Sequence, residues 1–359
     1  MLSLSDIVNP EMIGDQDDGL DDSPVVDLLL QHKRCANHTL NLVAAVDTFK
    51  ARDNARYKRA YDSAMSKVQS LSNAVHRSTN NANIVEEIVG LMFLNPTCTR
   101  WSSSYAAVQR IVDVGIEKVQ ACQERMGQQP LTEDDMKFLV SYVNVMKPIA
   151  TAMDLLQGEE DCYIGHIIPT IKGIQHKLKL LTDKSMTPLI NAINDGLQQR
   201  FSDIMNSDDY NVATMLIPKF KLNYLEISRR TIMKDLLNRS VQGASEVDKT
   251  SSPATAAAIE PADDSLFSFM NESCSHSTVL DAVTAEVDNF LACNSTDTTS
   301  LTAFPRVATA FRKYNAALPS SAAVERLFST AGQILTTRRC KMSDTLFEQA
   351  VFLRYKLKE

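Results

Sequence analysis

From Ser104 to Met126 the chain reads SYAAVQRIVDVGIEKVQACQERM, and Ala107, Ile111, Val112, Ile116 and Val119 recur at about 3.6-residue spacing. The same period returns at Tyr57, Ala60, Tyr61, Ala64 and Val68 in 54–77, in NIVEEIVGLMFLN up to Pro96, and in TEDDMKFLVSYVNVMKPIATAMDLLQG. That last stretch opens on Thr132, a good N-cap, followed by acids suited to the positive end of a helix, and contains Pro148. IGHIIPTIKGIQHKLKLL and TPLINAINDGLQQRFSDIM predict two more helices. Alternation of apolar and polar residues, the mark of a half-buried strand, is nearly absent; one short strand is expected near 32–36. The chain must therefore bury its apolar surface helix against helix, and the fold class expected is mainly α.

Charge is distributed unevenly. The formal net charge is −7, which argues against a general nucleic-acid binder. Met1–Gln31 carries eight acidic residues and no Lys or Arg, whereas Pro305–Glu359 carries ten basic residues against four acidic ones. GDQDDGLDDSP near the start is too charged to offset its ordering entropy and is expected to be disordered. SVQGASEVDKTSSPATAAAIEPADD, small and polar, reads as a linker. Seven scattered cysteines with no CxxC pair fit a reducing compartment, nuclear or cytosolic. No apolar run reaches the roughly 18 residues of a membrane span, so no membrane partner is expected.

Three short motifs carry chemistry-bearing side chains. In LPSSAAVERLFSTAGQILTTRR, residues Val324, Leu327, Phe328, Ala331, Ile334 and Leu335 fall in one arc of a helix, and Glu325 lies about 60° beyond its edge beside Ser329 and Gly332. Such a glutamate can face a metal or simply be satisfied by a neighbouring Ser or Arg. In RCANHTLNL, Cys35 and His38 form a CxxH pair; two ligands alone do not make a zinc site. In NPTCTRWSSSY, Arg100 and Trp101, the one tryptophan, could meet a phosphate and a base, or Trp101 could anchor a helix start.

In order and spacing, RCANHTLNLV, TRWSSSY, LLQGEEDCYIGHIIPTI, MLIPKFKL and LPSSAAVERLFSTAGQILTTRR resemble the hobo–Activator (hAT) transposase superfamily, especially transposon-derived relatives with BED zinc fingers. The resemblance covers 31–359. It implies a ribonuclease-H-like catalytic domain interrupted by a helical insertion, a metal-binding glutamate at Glu325, an insertion-domain aromatic that handles DNA at Trp101, and C-terminal helices that pair subunits. It divides the chain into an acidic leader (1–30), a ribonuclease-H-like remnant with the CxxH block (31–50), the helical insertion (51–239), a linker (240–277) and the dimerisation region (278–359).

The departures from that family shape the functional expectation. No BED finger precedes the match, the region of the first catalytic aspartate is missing, and Asp17 and Asp18, near the place of the second, have no strand around them. FLACNSTDTTSLTAFPRV replaces a segment that in relatives carries a tryptophan. One glutamate cannot hold the two metal ions of strand transfer. The expectation is a truncated, transposase-derived nuclear protein that is not an enzyme and needs no cofactor. It would self-associate as a homodimer or homo-oligomer through Leu327, Phe328, Leu335, Phe347, Val351 and Phe352, with nonspecific DNA contact through Arg100, Trp101, Arg338, Arg339 and Lys341. The alternative is a fragment of an active transposase using Mg or Mn, whose aspartates and BED finger lie outside this chain.

Overall fold

The computed structural model describes residues 34–95, 101–158, 161–250, 282–335 and 342–356. Among them the fold is mainly α, with no strand. The strand expected near 32–36 is not formed at the described positions: Arg34 and Cys35 lead directly into a helix beginning at Ala36. Helices α1 (Ala36–Ala45), α2 (Ala55–Arg77), α3 (Thr79–Val89), α4 (Trp101–Val114), α5 (Ile116–Arg125), α6 (Glu133–Leu156), α7 (Ile167–Lys179), α8 (Thr187–Asn206) and α9 (Asp208–Met215) are followed by α10 (Ile227–Thr250). After an interval outside the described residues come α11 (282–292), α12 (Pro305–Tyr314), α13 (Ala322–Ile334) and α14 (Asp344–Lys356).

Local chemistry sets the boundaries. The Asn54 carboxamide accepts the N–H groups of Arg56 and Tyr57 and so starts α2. Thr132 and Asp135 form a reciprocal capping box on α6, and that helix continues through Pro148 to Leu156. α3 stops at Gly90, not near Pro96, because Gly90 takes a left-handed conformation (φ 77°) and its N–H closes on the Glu86 carbonyl. The expected linker also begins too early: residues 240–250 continue α10, and the rest of the linker, like the acidic leader, falls outside the described residues.

From Cys35 onward the described residues form one compact unit with two apolar cores. The larger is built from α1–α8 around Leu40, Leu71, Leu139, Met146, Ile149 and Phe201. The smaller joins α9 and α10 to α11 and α12 through Leu216, Leu237, Val241, Val287, Phe290 and Val307. Residues assigned from sequence to the insertion and to the C-terminal region thus share the second core. Gly196 on α8 faces Asp47, whose carboxylate would sit 2.5 Å from any added Cβ; in this close approach Arg200 holds Asp47 with two hydrogen bonds of 2.6 and 3.0 Å.

Asn315, the C-cap of α12, clips the two cores together. Its buried carboxamide accepts the Gly165 N–H at 3.1 Å and donates to the Ala213 carbonyl at 3.0 Å. Thr214 donates to the Gly165 carbonyl at 2.9 Å. Asn315→Ala leaves a buried donor and acceptor unmet, each worth about 1–3 kcal/mol. Urea unfolding followed by circular dichroism is expected to show a loss of about 2–4 kcal/mol; a loss below about 0.5 kcal/mol, typical of a neutral surface site, would refute the clip.

Candidate functional site

α1 is the meeting point of the three motifs. Cys35 is its N-cap, and the thiol sulfur accepts the His38 N–H at 3.4 Å. The CxxH pair is therefore a capping arrangement: the His38 backbone serves Cys35, while the His38 residue itself is exposed. The same sulfur accepts the Ser321 N–H at 3.3 Å and donates to the Ser320 hydroxyl at 3.8 Å, and the Ala36 N–H donates to the Pro319 carbonyl at 2.9 Å. Burial alone would raise the Cys35 thiol, but hydrogen bonds led by Ser321 outweigh it and lower its pKa. At the other side of α1, Asn41 Oδ1 accepts the backbone N–H of Trp101 at 3.1 Å and starts α4.

Trp101 does not offer a platform for a base. It is 8% exposed, and its indole packs on Tyr105 with ring centroids 5.3 Å apart. Its place in DNA contact is corrected accordingly: a buried ring anchors the start of α4 and leaves no open face for stacking. Arg100, Arg338, Arg339 and Lys341, the other residues expected to contact DNA, lie outside the described residues.

Glu325 stands in the first turn of α13, exposed, and accepts the Ser321 hydroxyl at 2.9 Å. Its neighbour Arg326 donates to the Gln157 carbonyl at the end of α6, at 3.1 Å. No group of three His, Cys, Asp or Glu side chains that could hold a metal occurs among the described residues. A strand-transfer metal pair needs several converging carboxylates, and among the described residues Glu325 belongs to no such group. What the local geometry shows is a side-chain hydrogen bond to Ser321, one turn earlier.

What α13 and α14 do present is apolar surface. Only Thr330 and Ile334 of α13 are buried. Of the six expected anchors, Phe328 is 70% exposed, Phe352 63% and Leu335 56%, whereas Leu327, Phe347 and Val351 are half-buried. Val324, Leu346 and Leu353 join the exposed set and were not among the expected anchors. α14 runs beside α13, tied by Arg354 donating to the Gln333 carboxamide oxygen at 3.1 Å. The sequence reasoning also missed Asn41, Pro319, Ser320 and Ser321. Ser-Ser before an apolar run is a recognisable start signal, but no local signal announces that it reaches back to Cys35. Among the described residues no helix is long and apolar enough to cross a membrane.

Comparison with known proteins adds no relative: no protein-family model matches the chain, and no curated protein matches it significantly.

Proposed function

We propose that this chain is a transposase-derived, catalytically inactive protein that acts by self-association through its C-terminal helical hairpin. The observation that carries the proposal is the outward-facing apolar set Val324, Phe328, Leu335, Leu346, Phe352 and Leu353 on two short helices. Large apolar side chains left exposed on two neighbouring helices are what such an interface would cover. Each such side chain contributes about 1.5–3 kcal/mol when fully buried, against an association cost of about 4–15 kcal/mol. As these side chains are 51–70% exposed in the single copy, burying all six from each of two copies recovers about 10–20 kcal/mol, the size that cost requires. The sequence resemblance supports the origin of the hairpin as a pairing region, and the joining of the Cys35 and Ser320–Ser321 motifs supports reading them as parts of one ancestral unit.

Loss of catalysis follows in this reading from the environment of Glu325, a single carboxylate engaged by Ser321. DNA contact is not part of the proposal. Sedimentation velocity on the full chain is expected to show a dimer or larger assembly at micromolar concentration, and incubation with a duplex and Mg or Mn is expected to leave the duplex intact. A monomer throughout the concentration series would overturn self-association. Metal-dependent nicking that disappears in Glu325→Gln would overturn the loss of catalysis.

A further inference from the structure

A cleft of about 960 Å³ opens between the start of α2, the first half of α6 and the segment 183–191 that leads into α8. α6 packs against both flanking walls and so forms the base. Tyr57 and Phe138 are buried there with ring centroids 5.6 Å apart, and Ala60 and Pro188, both half-buried, extend the apolar patch. The same cleft is lined by three cations, Arg56, Lys137 and Lys184, and by two carboxylates, Asp134 and Asp183. Each carboxylate already has a partner. Lys137 lies 3.7 Å from Asp134, and Asp183 accepts the Ser185 N–H and hydroxyl at 2.9 and 2.7 Å. Arg56 and Lys184 make no ion pair among the described residues. The first turns of α2 and α8 hold no acid, so these two cations add to a potential that the helix ends already make positive.

We propose that this cleft binds a small phosphate ester built on a hydroxylated ring, a sugar phosphate or a nucleoside monophosphate. The proposal is independent of the self-association reading. Arg56 and Lys184 hold the phosphate through charge-assisted hydrogen bonds. The ring lies on the apolar patch of the base, where its carbon face is removed from water. Asp134 and Asp183 keep lone pairs free beyond the partners they have, and these accept the ring hydroxyls. The carboxylates also set what is excluded. A bare phosphate meets their repulsion and gains nothing from the apolar patch. An acidic peptide brings repeated negative charge to a lining where three cations face two carboxylates. The volume lies within the roughly 300–1,000 Å³ of small-molecule sites, and Arg56, Lys184, Asp134 and Asp183 are all exposed to an arriving ligand.

Titration calorimetry on the full chain tests this with three probes: glucose 6-phosphate, adenosine monophosphate and inorganic phosphate. At least one ester is expected to bind saturably and about tenfold or more tighter than inorganic phosphate. Arg56→Ala and Lys184→Ala are each expected to weaken that ester about tenfold, the order of one charge-assisted hydrogen bond. Asp134→Asn is expected to weaken the ester and to strengthen inorganic phosphate, because it removes a hydroxyl acceptor and a repulsion together. All three positions are exposed, so circular dichroism is expected to stay unchanged and lost folding does not stand in for lost binding. Preference for glucose 6-phosphate assigns the site to a sugar phosphate, and preference for adenosine monophosphate to a nucleotide. Binding of neither ester would overturn the proposal. So would inorganic phosphate binding as tightly as both, or ester binding that survives Arg56→Ala and Lys184→Ala alike.

Discussion

Asp135→Ala is expected to cost the fold about 3–5 kcal/mol, the usual penalty for removing one partner of a buried ion pair. The reason lies in how many groups converge on this carboxylate. Lys67 Nζ donates to Oδ2 at 2.6 Å, and both residues are buried. Ser63 donates to Oδ1 at 2.7 Å, and the Thr132 N–H and hydroxyl donate to Oδ2 at 2.9 and 2.8 Å. Truncation leaves the Lys67 ammonium uncompensated in the seam between α2 and α6 and removes the capping box of α6. Burial alone would raise the Asp135 pKa, but these donors outweigh it, with Lys67 foremost among them, and the carboxyl is lowered to about 2. The stability this supplies is fully present above the unfolded value, about 4, and is lost as pH falls through about 2. Linkage sets its size at about 2 kcal/mol. Denaturation series for the native chain and Asp135→Asn between pH 5 and pH 2 are expected to converge at the acid end. A constant gap between the two curves would mean that the charge of Asp135 is not what stabilises the seam.

The second large effect concerns assembly. Phe328→Asp places a carboxylate in the outward-facing apolar set of α13 and α14, where pairing would bury it without a partner, at a cost of several kcal/mol. A loss of at least about 2.7 kcal/mol corresponds to a hundredfold weaker association. The variant is expected to sediment as a monomer at concentrations where the native chain is a dimer. Because Phe328 is 70% exposed in the single copy, its thermal unfolding measured at low concentration, where both proteins are monomeric, is expected to change by less than about 0.5 kcal/mol. An unchanged dimer would exclude Phe328 from the interface.

Helical identity was legible wherever an apolar period ran for several turns. The Tyr57–Val68 face predicts α2, and Thr132 marks the start of α6, because one residue and its own turn suffice to define a cap. Boundaries governed by competition were less legible. α3 yields at Gly90 although apolar residues continue to Leu94, since a left-handed glycine ends the hydrogen-bond ladder more decisively than Pro96. Residues 240–250 look like a linker by composition yet extend α10, where Val241 and Ala244 are drawn into the second core. Tertiary packing there overrides the local preference of small polar residues.

The candidate site divides the same way. The apolar arc of α13 follows from spacing alone, but which of its members face outward does not: Val324, Phe328 and Leu335 are exposed, whereas Ile334 is buried. Trp101 and Cys35 could not be placed from local sequence. Whether an indole is a platform or a plug depends on Tyr105 and on Asn41, contributed by a helix sixty residues earlier. Whether CxxH is a ligand pair or a cap depends on Ser321, 286 residues away.

That last separation has a consequence for how the polypeptide matures. α1 packs into the larger core, yet the Ala36 N–H is met by Pro319, and the Cys35 sulfur, beyond its bond from the His38 N–H, by Ser320 and Ser321. During synthesis α1 waits for the residues some 285 positions further on to be made before its leading end is closed. Early intermediates on the ribosome therefore carry an open seam that shuts last, as contacts distant along a chain do.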